Sequence, residues 1–256
     1  MTSEAAALAS VSERPLLGGS VVILTGATGG IGRAIAQLLV AAGARLAVTD
    51  LVDEPVRDVA SDVGAFGEAC DAASWDGFGA FHARVETELG TLDGIVNCAG
   101  LWAPAAYEEV DERAFEETLD ANLKTAFVAC RTVLPGMVAR GKGSVVNFAS
   151  TAGEYGSIRP AAHYAAAKGG VIALTKSLAR EVSPAGVRVN AVSPGPIDTT
   201  ALLAATPEQR AIAESRTLFG RLGQPHEIAG ACAFLLSPLS TFVTGTVLQV
   251  NGGSLL

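Results

Sequence analysis

Apolar residues in this chain fall into short continuous strings, separated by longer segments with helical periodicity. Continuous apolar strings of this length are typical of strands buried on both faces of a sheet. We expect strands at 20–26, 45–50, 92–98, 143–149, 187–193 and 246–251, with a weaker one at 65–69. We expect helices at 30–42, 74–89, 111–139, 162–182 and 225–236. The third of these windows is long enough for two helices, and Pro135 should bend or end it.

The alternation of strands and helices predicts an α/β fold with a single Rossmann-type, doubly wound parallel sheet of about seven strands and helices on both faces. Residues 1–16 are rich in Ala and Ser and show little pattern, so we expect a flexible N-terminal tail. No linker or repeat interrupts the rest, which predicts one domain over 17–256. Within that domain, the polar stretch at about 199–224 is predicted to form a substrate lid.

Composition and charge argue against several classes of function. The net charge of −8 disfavours nucleic acid or a membrane surface as the main partner, because both attract basic patches. Neither a signal-peptide pattern nor an apolar run of transmembrane length is present, and we expect a cytoplasmic protein. The four cysteines are widely spaced, so they indicate neither a disulfide framework nor a zinc site, and no metal is expected.

A glycine-rich loop follows the first predicted strand, with glycines at 26, 29, 30 and 32. Glycine lets a backbone turn tightly and approach an anion closely. The N-terminus of the following helix offers free N–H groups to a pyrophosphate. This GxxxGxG spacing therefore predicts a dinucleotide site rather than a plain turn between strand and helix.

Asp50 ends the second predicted strand and bears on the choice of dinucleotide. An acid at this place can accept hydrogen bonds from the adenosine ribose and repels a 2′-phosphate. The alternative is an Asp that merely ends a strand and begins a turn. No Arg or Lys flanks Asp50 in the sequence, so we expect NAD(H) to be preferred over NADP(H).

Tyr164 and Lys168 lie four residues apart in an alanine-rich predicted helix, so the phenol and the ammonium share a face. A neighbouring cation lowers the pKa of a tyrosine, which would make Tyr164 an acid/base group at neutral pH. A surface tyrosine beside a solvated lysine is the alternative. The adjacent His163 faces another direction on the helix, and we expect it to be partly exposed or at a subunit contact.

These features resemble the short-chain dehydrogenase/reductase family, with the nearest likeness to its 3-oxoacyl-carrier-protein-reductase-like members. The resemblance extends from about residue 18 to Gly253. It rests on TGATGGIG at 25–32, NCAG at 97–100, ANLK around Asn122, NFAS ending at Ser150, YAAAK at 164–168 and SPGPIDT at 193–199. Each string alone is common, but the combination is highly specific.

The resemblance implies a catalytic set of Asn122, Ser150, Tyr164 and Lys168. Tyr164 would be the acid/base, and Ser150 would hydrogen-bond the substrate oxygen. Lys168 would bind the nicotinamide ribose and tune the tyrosine, while Asn122 would hold a water that links Lys168 to solvent. The expected cofactor contacts are Gly26, Thr28, Gly29, Gly30, Ile31, Gly32, Asp50, Asp71, Ala72, Asn97, Ala99, Gly100, Tyr164, Lys168, Pro194, Gly195, Ile197 and Thr199.

The substrate side is less specified by the sequence. Trp102 follows the NCAG string and is expected to form a wall of the substrate pocket with Ser150 and Tyr164, although a core or interface position is as plausible for a tryptophan. The expected partner is a small alcohol or ketone. The family resemblance also implies a homotetramer.

Three hypotheses about function remain open. The first is an NAD(H)-dependent oxidoreductase that interconverts a secondary alcohol and its ketone by hydride transfer. The second is an NADPH-dependent 3-oxoacyl-thioester reductase, which Asp50 disfavours. The third is a non-catalytic dinucleotide-binding sensor, although the whole catalytic set is present.

Overall fold

The computed structural model describes residues 15–199 and 206–254. Seven strands form one parallel sheet in the order β3-β2-β1-β4-β5-β6-β7. They are β1 (Val21–Thr25), β2 (Arg45–Thr49), β3 (Phe66–Gly67), β4 (Gly94–Asn97), β5 (Gly143–Phe148), β6 (Val187–Pro194) and β7 (Val247–Val250). The predicted α/β fold with a doubly wound parallel sheet is confirmed.

The helices of the described residues cover both faces of this sheet. They are α1 (Gly30–Ala41), α2 (Asp53–Val63), α3 (Trp75–Leu89), α4 (Glu112–Leu119), α5 (Thr125–Arg140), α6 (Thr151–Tyr155), α7 (Ala162–Val182), α8 (Pro207–Ser215) and α9 (Pro225–Leu236). The five predicted windows each contain helix, whereas α2, α6 and α8 lie outside all of them.

The core consists of two apolar layers, one on each face of the sheet. Along β1, Val22 and Leu24 join the layer under α1 and α9, whereas Val21 and Ile23 join the layer under α3, α5 and α7. Successive side chains of a strand point to opposite faces. A strand between two helix layers must therefore be apolar at every position, which is the pattern that predicted these strands.

The order of the strands places the functional end of the molecule. β1 pairs with both β2 and β4, so the chain winds outward in one direction through β3 and in the other through β7. Parallel sheets of this kind bind ligands at the carboxyl ends of the strands, at the point where the order reverses. In this chain that point is occupied by the glycine-rich loop after β1 and the NCAG string after β4.

The predicted helix at 111–139 differs from expectation in two ways. A π-helical turn at Asp120–Lys124 separates α4 from α5. Pro135 does not end the helix, because α5 continues to Arg140. The proline lacks a backbone N–H, but the buried Val133, Leu134 and Met137 hold this turn against the sheet.

The predicted tail and lid fall partly outside the described residues. Of the tail at 1–16, only Pro15 and Leu16 are described, and Leu16 packs against the core. Of the lid at 199–224, residues 200–205 lie outside the described residues, and α8 belongs to the rest. The single domain over 17–256 stays a prediction.

Candidate active site

A cleft of about 980 Å³ opens at the carboxyl ends of β1 and β4. With one exception, the residues predicted to be catalytic or to contact cofactor or substrate line this cleft. The exception is Asn97, whose buried amide donates hydrogen bonds to Asn147 Oδ1 at 2.8 Å and Cys130 Sγ at 3.5 Å. The Asn97 side chain therefore ties β4 to β5 and α5 beneath the cleft instead of lining it.

The glycine-rich loop is shaped by close backbone contacts. Gly26 has a φ of 68°, and a Cβ on it would lie 2.6 Å from the backbone nitrogen of Ala99. A Cβ on Gly32 would lie 2.8 Å from the Cα of Ala27. Both distances are too short for a side chain, so only glycine allows the loop to turn back over the start of α1 and to meet the NCAG string.

The first turn of α1 fits an anion. This helix begins at Gly30 without a side-chain cap, and no acidic residue lies in its first turn. Its first N–H groups are thus available to a ligand, and the helix dipole favours negative charge there. Together with the glycine-rich loop, this geometry fits the pyrophosphate of a nicotinamide dinucleotide.

Asp50 is tied to the glycine-rich loop by its own hydrogen bonds. Its Oδ2 accepts from the Thr28 backbone nitrogen at 3.1 Å and from Thr28 Oγ1 at 2.5 Å, while its Oδ1 accepts from the Leu51 nitrogen at 2.9 Å. The carboxylate therefore braces the loop against the end of β2. Both of its oxygens already have donors in the protein.

Lys168 lies buried beneath Tyr164. It is 4% exposed, and its Nζ donates to the Phe148 carbonyl oxygen at 2.8 Å and lies 5.8 Å from the centroid of the Tyr164 ring. Burial lowers the pKa of Lys168 to about 8, because a charge is poorly solvated there.

The pKa of Tyr164 differs from the prediction. Burial raises it above the usual value, and hydrogen bonding to Ser150 opposes this effect only in part. The predicted lowering by Lys168 is therefore wrong, because desolvation dominates and the opposing effect comes from Ser150 and not from Lys168. A tyrosine in this state keeps its proton at neutral pH, which suits it to donate that proton to a substrate oxygen.

Ser150 lies between the end of β5 and α6, close to α7. It is the N-cap of α6, and its Oγ accepts from the Ala152 nitrogen at 3.2 Å. Its hydroxyl also hydrogen-bonds with Tyr164. A Cβ on Gly153 would lie 2.6 Å from the carbonyl carbon of Lys168, so this glycine lets α6 approach α7 and brings Ser150 beside Tyr164.

Asn122 lies on the π-helical turn, a feature often found at functional sites. Its Nδ2 donates to the Leu101 carbonyl at 2.9 Å, and its Oδ1 accepts from the Leu101 nitrogen at 3.2 Å. A Cβ on Gly100 would lie 2.7 Å from Asn122 Oδ1 and 3.3 Å from Lys168 Nζ. The Asn122 amide and the Lys168 ammonium therefore both pack against Gly100. Asn122 thus holds the chain after β4 close to Lys168. Its role in holding a water stays a prediction.

Trp102 and His163 complete the substrate side. The Trp102 ring meets the Tyr164 ring edge-on, with centroids 4.7 Å apart and planes at 81°, in agreement with the expected wall. The expectation that His163 is partly exposed is wrong, whereas its alternative, a position at a subunit contact, stays a prediction. His163 is 6% exposed, and its Nε2 lies 3.0 Å from the Ala103 carbonyl oxygen.

Cys98 also lines the cleft and was not among the expected site residues. Its position between two expected contacts in the NCAG string was the available signal. Burial raises the pKa of this thiol to about 12, so it stays protonated and is a poor nucleophile.

Two further classes of site were tested on residues 15–199 and 206–254. Within these ranges, no helix is long and apolar enough to cross a membrane. The same residues contain no group of three or more His, Cys, Asp or Glu side chains that could hold a metal ion.

Comparison with known proteins places the chain in a family. A family model described as enoyl-(acyl carrier protein) reductase matches residues 26–254. The 3-oxoacyl-[acyl-carrier-protein] reductase of Vibrio cholerae is 39% identical over 240 residues, covering 93% of this chain and 98% of that protein. The chain belongs to the short-chain dehydrogenase/reductase family.

Further relatives agree with this assignment. The acetoacetyl-CoA reductase of Synechocystis is 38% identical, over 91% of this chain and 95% of its own length. The crystal structure of a 3-oxoacyl-[acyl-carrier protein] reductase from Brucella melitensis has a TM-score of 0.88 and 36% identity, covering 95% of this chain and 94% of that one. As a member of this family, the protein is an oxidoreductase that acts on CH–OH groups or the corresponding ketones.

The predicted preference for NAD(H) is contradicted by these relatives, which are reductases that depend on NADPH. The error lies in the interpretation of Asp50. Asp50 Oδ2 accepts two hydrogen bonds from Thr28 and Oδ1 accepts one from Leu51, so the acid after β2 braces the glycine-rich loop in this structure. The Asp50 carboxylate therefore stabilises the loop, and its presence does not identify which dinucleotide binds.

Proposed function

We propose that this protein reduces the ketone of 3-oxoacyl thioesters to the 3-hydroxyacyl form with NADPH. The observation that carries this proposal is the arrangement of Tyr164, Ser150 and the buried Lys168 in one cleft beside the glycine-rich loop. A protonated acid is what reduction of a ketone requires. The relatives named as 3-oxoacyl and acetoacetyl-CoA reductases support the choice of substrate class.

The residues of the cleft divide the work of the reaction. NADPH supplies a hydride to the carbonyl carbon when it is bound. Ser150 donates a hydrogen bond to the carbonyl oxygen and stabilises the charge that develops there. Tyr164 transfers its phenolic proton to the same oxygen, so that hydride and proton together convert the ketone to an alcohol. Lys168, in its charged form, stabilises the phenolate that is left.

The dinucleotide would be held mainly by backbone groups. The glycine-rich loop and the first N–H groups of α1 would bind the pyrophosphate. Among described cleft residues, the cations are Arg113 and Lys168, and Arg113 pairs with Glu117 at 2.6 Å. A 2′-phosphate near Asp50 would therefore be bound by neutral donors. This predicts that removal of the Asp50 charge strengthens NADPH binding.

The test is a panel of thioesters with purified protein, followed by NADPH absorbance. Acetoacetyl-CoA and its acyl-carrier-protein form should both be examined, because the names of the relatives include both carriers. We expect reduction of the ketone, with Ser150→Ala reducing kcat by about 100-fold. Crotonyl-CoA tests the enoyl reduction named by the family model, and preferential reduction of its double bond would contradict the proposal. Binding of NADPH without turnover of any thioester would favour the sensor instead.

We also propose that the protein assembles as a homotetramer. Large apolar side chains are exposed on α4 and α5, at Phe115 and Phe127, and before β7, at Leu239 and Phe242. Exposed apolar side chains of this size support an interaction surface on these elements. Light scattering during size-exclusion chromatography should give four times the chain mass, and a monomer would contradict this proposal.

A further inference from the structure

Three consecutive residues after Gly100 are each attached to a different residue of the catalytic region. Leu101 is bound through its backbone to the Asn122 amide, and Trp102 packs edge-on against Tyr164. The carbonyl oxygen of Ala103 is bound by His163. We call residues 101–103 the substrate loop, because Trp102 lines the cleft beside Tyr164.

His163 contributes the outermost of these three attachments. A carbonyl oxygen only accepts hydrogen bonds, so Nε2 of His163 carries the hydrogen and donates it to Ala103. The other ring nitrogen, Nδ1, is buried and has no hydrogen-bond partner among the described residues. Among the described residues, the hydrogen bond to Ala103 is therefore the polar contact of this buried imidazole.

The position of His163 links the loop to the chemistry. His163 directly precedes Tyr164 on α7, so one helical turn carries both the proton donor and the group that fixes the loop. Trp102 remains 38% exposed, which leaves part of the indole facing the cleft. Any movement of the loop would change both the contact with Tyr164 and the apolar wall that an acyl group would meet.

We propose that His163 is a positioning residue that holds Trp102 against Tyr164 and so shapes the acyl side of the site. The inference about the acyl group rests on the proposed function, whereas the inference about Trp102 does not. An imidazole that served only to fill space would leave Trp102 in place when an aromatic ring of similar size replaced it. A positioning imidazole would not.

Two replacements separate these roles. His163→Phe keeps a ring but removes the donor, and a neighbouring cavity of about 450 Å³ lined by His163 offers room for the larger ring. His163→Gln loses the ring but keeps an N–H donor on a side chain of similar reach. Should His163→Phe fail to fold, His163→Asn takes its place, because its amide is too short to reach the Ala103 carbonyl.

The primary measurement is the fluorescence of Trp102 in cofactor-free protein. The chain has two tryptophans, so Trp75→Phe leaves Trp102 as the single emitter. In that background, we expect His163→Phe to shift the emission to longer wavelength and to raise the acrylamide quenching constant about twofold, as the indole leaves Tyr164. His163→Gln should restore at least half of the parent behaviour. Unchanged emission and quenching in His163→Phe, or equal changes in both variants, would overturn the proposal.

Kinetics provide a second readout that depends on the proposed function. With acetoacetyl-CoA, His163→Phe should raise KM about tenfold and lower kcat by less than about threefold, because Tyr164 itself remains. The Kd of NADPH should not change. A fall in kcat at constant KM would contradict a role in shaping the acyl side. If no thioester is reduced by the parent protein, the proposed function fails, and the fluorescence result still decides the role of His163.

Discussion

The two halves of the cleft are built differently. The cofactor half consists of backbone, with the glycine-rich loop, the first turn of α1 and the strand ends in direct contact. The substrate half consists of side chains that reach across from α7, as Tyr164 does to Trp102 and His163 does to Ala103. Backbone contacts leave little freedom for substitution, whereas side-chain contacts can be exchanged. The substrate half is therefore where relatives of this fold can differ in specificity.

The largest expected effect on cofactor binding comes from the backbone half. Gly32→Ala places a Cβ against the Gly26 carbonyl and the Ala27 backbone. It should weaken NADPH binding about 100-fold and lower the free energy of unfolding by about 1–3 kcal/mol. Gly79→Ala in α3 is the matched control, because its Cβ would meet nothing within 4 Å. Titration of NADPH fluorescence and thermal denaturation measure both effects. Equal behaviour of the two variants would mean that the close contact does not exist.

The next effect concerns the pH dependence of reduction. The pKa of Lys168 is lowered to about 8 by burial, so the ammonium is present below pH 8 and is lost above it. Tyr164 stays protonated over this range, because its pKa is raised. The kcat/KM for reduction should therefore be level below pH 8 and fall about tenfold per unit above it. A level profile up to pH 10 would show that the charge of Lys168 is not required.

A substitution at Asp50 changes the charge of the cofactor half. Asp50→Asn removes the negative charge but keeps an oxygen that can accept from Thr28. It should raise the affinity for NADPH about fivefold, since repulsion of a 2′-phosphate is relieved, and should change NADH affinity little. Asp53→Asn on α2 removes an exposed charge that lies outside the cleft and serves as the control. Isothermal titration with both dinucleotides measures the change. A weaker NADPH complex in Asp50→Asn would show that the loop brace matters more than the charge.

The smallest expected effect lies in the predicted lid. Arg210 on α8 forms a two-point ion pair with Asp198, at 3.0 and 2.8 Å, which ties the helix to the segment after β6. Partly exposed pairs contribute about 1 kcal/mol or less. Arg210→Ala should therefore raise KM for the acyl substrate about threefold and leave NADPH binding unchanged. Arg57→Ala removes an exposed pair on α2 and should change neither the KM for the acyl substrate nor NADPH binding. Loss of NADPH binding in Arg210→Ala would assign α8 to the cofactor half.

The cofactor half of the cleft and the fold around it were easier to predict from the sequence than the substrate half. The strands and α7, whose predicted bounds of 162–182 match the structure, follow from apolar strings and alanine-rich periodicity. The glycine-rich loop follows from spacing alone. The sequence pattern did not predict α2. Its charged residues and Pro55 interrupt the helical periodicity of the buried Val56, Val59 and Ala60. The π-helical turn leaves no compositional mark at all.

The substrate half was harder to predict because it depends on contacts between distant residues. His163 and Ala103 are 60 positions apart, and no local pattern relates them. The pKa of Tyr164 depends on how deeply the fold buries it, which spacing to Lys168 does not reveal. Asp50 shows the same limit, since its hydrogen bonds to Thr28 become visible only in the folded loop.

The central claim is that Tyr164 donates the proton when a 3-oxoacyl thioester is reduced. The most direct test is a single-turnover measurement of acetoacetyl-CoA reduction, with NADPH bound to the native protein and to Tyr164→Phe. We expect rapid reduction by the native protein and a loss of about 1,000-fold or more in the variant, with the Kd of NADPH changed less than about threefold. Reduction at a similar rate by both proteins would show that Tyr164 is not the proton donor.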